Sequence, residues 1–203
     1  MKIAVVGASG NAGSRIVTEL ASRGHAVTAI ARHPEKIVHL PNVTARQGDV
    51  LDQAGLAALF TGHDAAISSV HFLASDPARL IGAAKDSRVG RYLVVGGAGS
   101  LEVAPGVRLV TTPGFPVAYK AEAEKGAAFL DLLGQETELS WTFLSPSALF
   151  TAGERTGKFR IGTDQLLTAA DGKSWVSYED FAVALADEIE RPAHIRKRFT
   201  VGY

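Results

Sequence analysis

The stretch "AVVGASGNAGS", residues 4–14, closes a short apolar run and opens an amphipathic one. Gly7, Gly10 and Gly13 are spaced G-x-x-G-x-x-G. Such a triplet is weak evidence alone, but between a strand and a helix it predicts a nucleotide-binding turn. Gly7 then makes the tight turn, Gly10 lets the backbone approach a pyrophosphate, and Gly13 lets helix and strand pack closely. Free amides at the helix start, together with the positive end of its dipole, face the anion. Asn11 and Ser14 add side-chain donors. The stretch predicts that a dinucleotide binds here.

Which dinucleotide depends on the end of the second strand, "AVTAIAR". An NAD site places a carboxylate about 20 residues downstream of the loop, on the ribose 2′-hydroxyl. Arg32 occupies that place. A guanidinium is always charged and presents a planar fork of donors, which suits a 2′-phosphate. NADP(H) is therefore expected to bind more tightly than NAD(H), with Lys36 assisting and His33 bordering the adenine. Asp49 and Val50, in "QGDV", fall on the same edge. Asp49 either accepts from the adenine amino group while Val50 packs on the ring, or is an ordinary turn aspartate.

Outward from the loop, short apolar runs alternate with amphipathic stretches, the pattern of a parallel sheet covered by helices. Strands are expected at "KIAVVG", "AVTAIAR", "NVTARQGD", "DAAISSV", "RYLVVGGAG", "LSWTFLSP" and "KRFTVGY". Helices are expected over 11–23 with Gly24 closing, at "LDQAGLAALF" with Asp52 as cap, from Asp76-Pro77 to about Gly90, over 117–134, and within "SWVSYEDFAVALADEIE". Residues 101–117 carry Pro105, Pro113 and Pro116 and read as loop. Residues 147–173 are broken and polar, with a short strand possible at "KFRIG". The expected architecture is α/β: one doubly wound Rossmann domain over 1–203, order 3-2-1-4-5-6 plus a C-terminal strand, with helices on both faces.

Composition narrows the function classes. The 203 residues are 46% hydrophobic and 21% charged with a net charge of +0, so no global field draws in nucleic acid. Cys is absent, which removes disulfides, thiolate nucleophiles and cysteine-ligated metals. The apolar start breaks at Gly7, too early for a signal-peptide core, and no later run is long enough to span a membrane. A cytoplasmic protein with no nucleic-acid or membrane partner is expected; a homodimer stays open. Six histidines form no metal motif. The turn around Ser9 is not a G-x-S-x-G elbow. "HIRKR", 194–198, reads as a solvated basic turn, and Glu179 and Asp180 as first-turn acids favoured by the dipole of the last helix. Trp141 and Trp175 read as packing residues.

The glycine triplet, "AR-x-P", "VVGGAGSLEVAPG", "WTFLSPSALF", "GERTGKFRIGTDQLL" and "YEDFAVALADEIERP" follow one another along nearly the whole chain. Together they resemble the atypical short-chain dehydrogenase/reductases of the NADH-flavin reductase-like group, similar to NmrA-like proteins and to the B form of biliverdin reductase. The resemblance implies a Rossmann sheet with a small lid or substrate region from insertions at about 99–117 and 147–175. It places Gly7, Ser9, Gly10, Asn11, Ala12 and Gly13 around the pyrophosphate, and Arg32 at the ribose phosphate. Asp49 and Val50 then lie near the adenine, Ser68, Ser69 and Val70 near the middle of the cofactor, and Gly96, Gly97 and Pro146 near the nicotinamide.

One departure matters. Typical short-chain dehydrogenases use Tyr-x-x-x-Lys, but Tyr119 is followed at that spacing by Ala123. Ser100, Tyr119 and Lys120 are the remaining catalytic candidates, with Lys125 nearby; Tyr119 and Lys120 point about 100° apart if both are helical. Hydride transfer to a flavin or a similar conjugated acceptor therefore ranks above alcohol–ketone chemistry, because delocalisation in the acceptor carries much of the change. FMN, FAD or riboflavin would be a dissociable substrate. His71 and Phe72 are candidate contacts for that small-molecule acceptor, against the plainer reading of a loop histidine. A cofactor-binding sensor with little turnover, and an epimerase or ketone reductase, are the alternatives.

Overall fold

A computed structural model describes residues 1–203. In chain order the elements are β1 (Lys2–Val6), α1 (Asn11–Ser22), β2 (Ala26–Ala31), β3 (Val43–Gln47), α2 (Gln53–Phe60), β4 (Ala65–Ser68), α3 (Pro77–Asp86) and β5 (Arg91–Val95). There follow β6 (Glu102–Ala104), β7 (Val107–Arg108), α4 (Val117–Gly134), β8 (Trp141–Pro146) and β9 (Leu149–Thr151). The chain ends with β10 (Arg160–Gly162), β11 (Trp175–Ser177), α5 (Tyr178–Glu190) and β12 (Lys197–Gly202).

The main sheet has the order β10-β12-β8-β5-β4-β1-β2-β3. Every pairing in it is parallel except β10 on β12. This is the Rossmann order, extended past the sixth strand by the C-terminal strand and an antiparallel edge. The central strands are continuous apolar runs because both faces are covered. In β1, Ile3 and Val5 join the layer with Ile16, Val17 and Leu20 of α1 and Phe181 and Leu185 of α5. Ala4 and Val6 join the opposite layer with Leu56 and Phe60 of α2, Leu80 of α3 and Phe129 and Leu133 of α4.

The helix starts follow their caps. Asp52 accepts from Gly55 N and Asp76 from Ala78 N, and Gly24 takes φ +79° just after α1. The stretch 101–117 departs from the loop expectation. It contains the β6–β7 hairpin, turned at Pro105-Gly106 with Gly106 at φ +73°, and a 3-10 turn over 109–111. Strands of three and two residues are too short to show a period, so the prolines dominated the pattern. The second insertion adds β9 and β11, which pair with each other in parallel.

Two surface readings are also corrected. Arg198 of "HIRKR" is a β12 residue whose side chain is only 7% exposed, ion-paired with Asp164 at 2.6 Å. Asp180 is fully buried, not merely a dipole-favoured acid. Its carboxylate accepts from Thr156 Oγ1 at 2.5 Å, Gly157 N at 2.8 Å and the Tyr203 hydroxyl at 2.7 Å. No helix is long and apolar enough to cross a membrane.

Candidate functional site: a cleft along the carboxyl edge of the sheet

A cavity of about 790 Å³ runs along the ends of the parallel strands, where ligands of open α/β sheets bind. Its first part is the glycine loop. Gly7 sits at φ +82°, and a Cβ there would overlap the Ser69 carbonyl; a Cβ on Gly13 would overlap the Gly7 carbonyl. These two glycines are required by packing within the protein. Gly10 differs: a Cβ there would meet only the Gly7 oxygen, at 3.3 Å. Gly10 is the N-cap of α1, no side chain caps that end, and its first turn holds no acid. First-turn amides of a helix have no partner within it. With Ser9, Gly10, Asn11 and Ala12 in the wall, this bare end fits a pyrophosphate.

Arg32, Asp49 and Val50 line the same end of the cleft. Asp49 Oδ1 also accepts from Leu51 N at 2.9 Å, so the turn role is real and the aspartate faces the cavity as well. Ser69 and Val70 line the middle, and Gly96, Gly97 and Pro146 the far side. A Cβ on Gly96 would overlap the Phe143 ring, so this glycine too answers to packing.

Several expected site residues lie elsewhere. Ser68 is buried and accepts from the Tyr92 hydroxyl at 3.0 Å, beneath the cleft floor; burial pushes that hydroxyl's pKa up. Gly13 shapes the loop from behind. Ser100 is buried in the 3-10 turn after β5, where Arg198 donates to its Oγ at 3.3 Å, and it is not in the cleft wall. Lys120 and Lys125 are exposed on α4 and also outside the wall. Of the catalytic candidates only Tyr119 reaches the cavity. Helical geometry turns its neighbour Lys120 away.

His71 and Phe72 do line the cleft. Phe72 packs beside Gly97 and Gly126 and edge-on to Phe129, with ring centroids 6.3 Å apart. Leu109, Phe115, Phe150, Tyr178 and Glu122 complete this end and were not read from the sequence. They come from the two insertions and from the starts of α4 and α5, and no local motif marks them. Phe150 and Tyr178 meet edge-on at 4.5 Å, and Arg15 lies 5.8 Å over the Tyr178 ring. At the position of the lysine in Tyr-x-x-x-Lys stands Ala123, which lines the cleft and packs close to Gly99.

The matches to known proteins agree with this geometry. The model of a family described as NAD(P)H-binding matches residues 7–192. A solved structure from Burkholderia pseudomallei, provisionally named an exported protein, is 43% identical, with both chains covered in full and a TM-score of 0.90. One from Bacteroides thetaiotaomicron, provisionally named an epimerase, is 38% identical over 100% of this chain and 96% of its own, with a TM-score of 0.95. One from Streptococcus pneumoniae, provisionally named an NADH-flavin reductase, is 37% identical over 100% and 99%, with a TM-score of 0.81. The chain belongs to the NAD(P)H-binding family, in its atypical short-chain dehydrogenase/reductase-like form.

Proposed function

We propose that this protein is an oxidoreductase that passes hydride from NADPH to a flavin or a similar flat conjugated acceptor. The observation that carries the reading is the continuity of the cleft. Its wall holds Arg32 and the bare end of α1, with Tyr178 and Phe150 beside that helix end, and continues past Gly96 and Gly97 to Phe72 and Phe115. The glycine loop and Arg32 suit a phosphate-bearing nucleotide, and the aromatic walls suit a planar ring that needs apolar stacking. The two insertions act as the acceptor side of the site. The bound dinucleotide supplies the hydride; the chain's residues hold both partners at reactive distance and exclude water between them. Arg32, which lines the cleft, favours the 2′-phosphate and hence NADP(H) over NAD(H). A small-molecule acceptor, a cytoplasmic setting, and no nucleic-acid or membrane partner remain part of the proposal.

The test follows NADPH absorbance with FMN, FAD, riboflavin and a panel of small quinones. Oxidation above background with at least one of them is expected. Tight cofactor binding with no turnover on the whole panel favours the second reading, a cofactor-binding sensor. The observation behind that alternative is Ala123, packed on Gly99 where typical enzymes carry the lysine.

A further inference from the structure

Glu122, on the second turn of α4, reaches across the cleft wall to the turn that follows β4. Its Oε1 accepts from Phe72 N at 2.7 Å and its Oε2 from Leu73 N at 2.9 Å. Two backbone donors lock the carboxylate, leaving it little freedom to rotate away. The same Oε1 stands 3.4 Å from Nδ1 of His71. Glu122, His71 and Tyr119 all line the acceptor end of the cleft. At this ion-pair distance the carboxylate favours a proton on the facing nitrogen and leaves the other nitrogen on the far side of the ring.

We propose that His71 is the proton donor to the acceptor and that Glu122 is its positioning residue. This rests on the reductase reading above. Reducing a flavin or quinone requires a hydride and one proton. The acceptor takes the hydride, two electrons and a proton, from the dihydronicotinamide, which is oxidised. It takes the second proton from Nε2–H of the His71 imidazolium. That N–H bond breaks with its electron pair left on nitrogen, and an N–H or O–H bond forms on the reduced acceptor. The neutral ring is then reprotonated from water, which reaches it freely because the side chain is 88% exposed. Charge on the reduced acceptor is thus quenched at the solvent-open edge of the cleft, the task left without an owner by the missing Tyr-x-x-x-Lys pair.

The test uses the intact protein with NADPH and whichever acceptor of the panel it reduces. His71→Gln should lower kcat by about 100-fold, the usual worth of a general acid, and added imidazole should restore part of it. Its NADPH affinity by calorimetry should match the unmodified protein. Glu122→Gln should lower kcat with little change in KM, and in the ligand-free protein should shift the ring ¹⁵N resonances of His71. Full-rate turnover by His71→Gln overturns the assignment, as does an unmoved His71 spectrum in Glu122→Gln. A lost rate accompanied by lost NADPH affinity overturns it too, making His71 a cofactor contact. An unmodified protein that binds NADPH and reduces nothing defeats the reductase reading itself, and with it this one.

Discussion

The amino ends of α1 and α5 border the same cleft and are joined by the Arg15–Glu179 ion pair at 3.0 Å. They are built in opposite ways. The α1 end has glycine as its cap, no capping side chain and no acid in its first turn. The α5 end is capped and acidic: Ser177 accepts from Asp180 N, Glu179 accepts from Gly153 N, and the Asp180 carboxylate gathers three donors from the second insertion and Tyr203. Each helix end offers unpaired amides and a positive dipole. At α5 the chain caps one of them with Ser177 Oγ, and the first-turn carboxylates fasten an insertion. At α1 no side chain caps them, and in our proposal they take the cofactor's pyrophosphate. The difference separates a helix end used by the chain from one left open to the cleft.

The contrast breaks most visibly at Asp180. Asp180→Ala strands several buried donors and should cost about 3 kcal/mol of stability, read as a lower urea midpoint. The NADPH affinity of the folded protein should change little; a large loss would mean that the two helix ends are not separate in function. Gly10→Asp makes α1 resemble α5. A carboxylate at an N-cap is favourable for the helix, so the ligand-free melting temperature should hold. NADPH binding should weaken at least about 100-fold, ~2.7 kcal/mol, by calorimetry. Unchanged binding would move the phosphate site elsewhere.

Two further substitutions sharpen the comparison. Glu19 of α1 is buried and holds Arg155 of the second insertion at 2.7 Å and Arg23 at 2.8 Å. The Arg155 hydrogen bond, outweighing the cost of burial, keeps its carboxyl below the ordinary value of 4.5. A depressed folded-state pKa stabilises the protein above pH 4.5 and loses that contribution as pH falls below it toward the folded value. Glu19→Gln should therefore cost about 2 kcal/mol at neutral pH. The gap to the unmodified protein should narrow in urea melts as the solution is acidified; a gap independent of pH would show that the carboxylate charge is not what holds the insertion. Smallest is Arg32→Ala, expected to weaken NADPH by about tenfold, ~1.4 kcal/mol, and to leave NADH nearly unchanged. Equal affinities for the two cofactors in the unmodified protein would remove the basis for the preference.

The parallel sheet was legible because apolar runs bounded by glycine and capping residues are local signals, repeated from β1 to β8. The hairpin at 102–108 was not, since its strands are shorter than any period. At the site, the glycine loop could be read because its turn and its packing of Gly13 on Gly7 are local, although Gly7 also answers to the distant Ser69 carbonyl. The same local reading placed Ser100 as a proton donor, whereas Arg198, nearly a hundred positions later, occupies its hydroxyl. Asp180 read as a simple first-turn acid for the same reason: its partners Thr156, Gly157 and Tyr203 arrive from distant parts of the chain.

By itself the sequence determined the Rossmann order and the glycine turn between β1 and α1, because backbone geometry and burial period act over short distances. Only the tertiary structure decided what closes the far end of the cleft and that Glu122 meets His71. Those contacts join α4, α5 and two insertions across long separations in the chain. Which side chains converge there depends on how complete layers pack, and no local pattern encodes that.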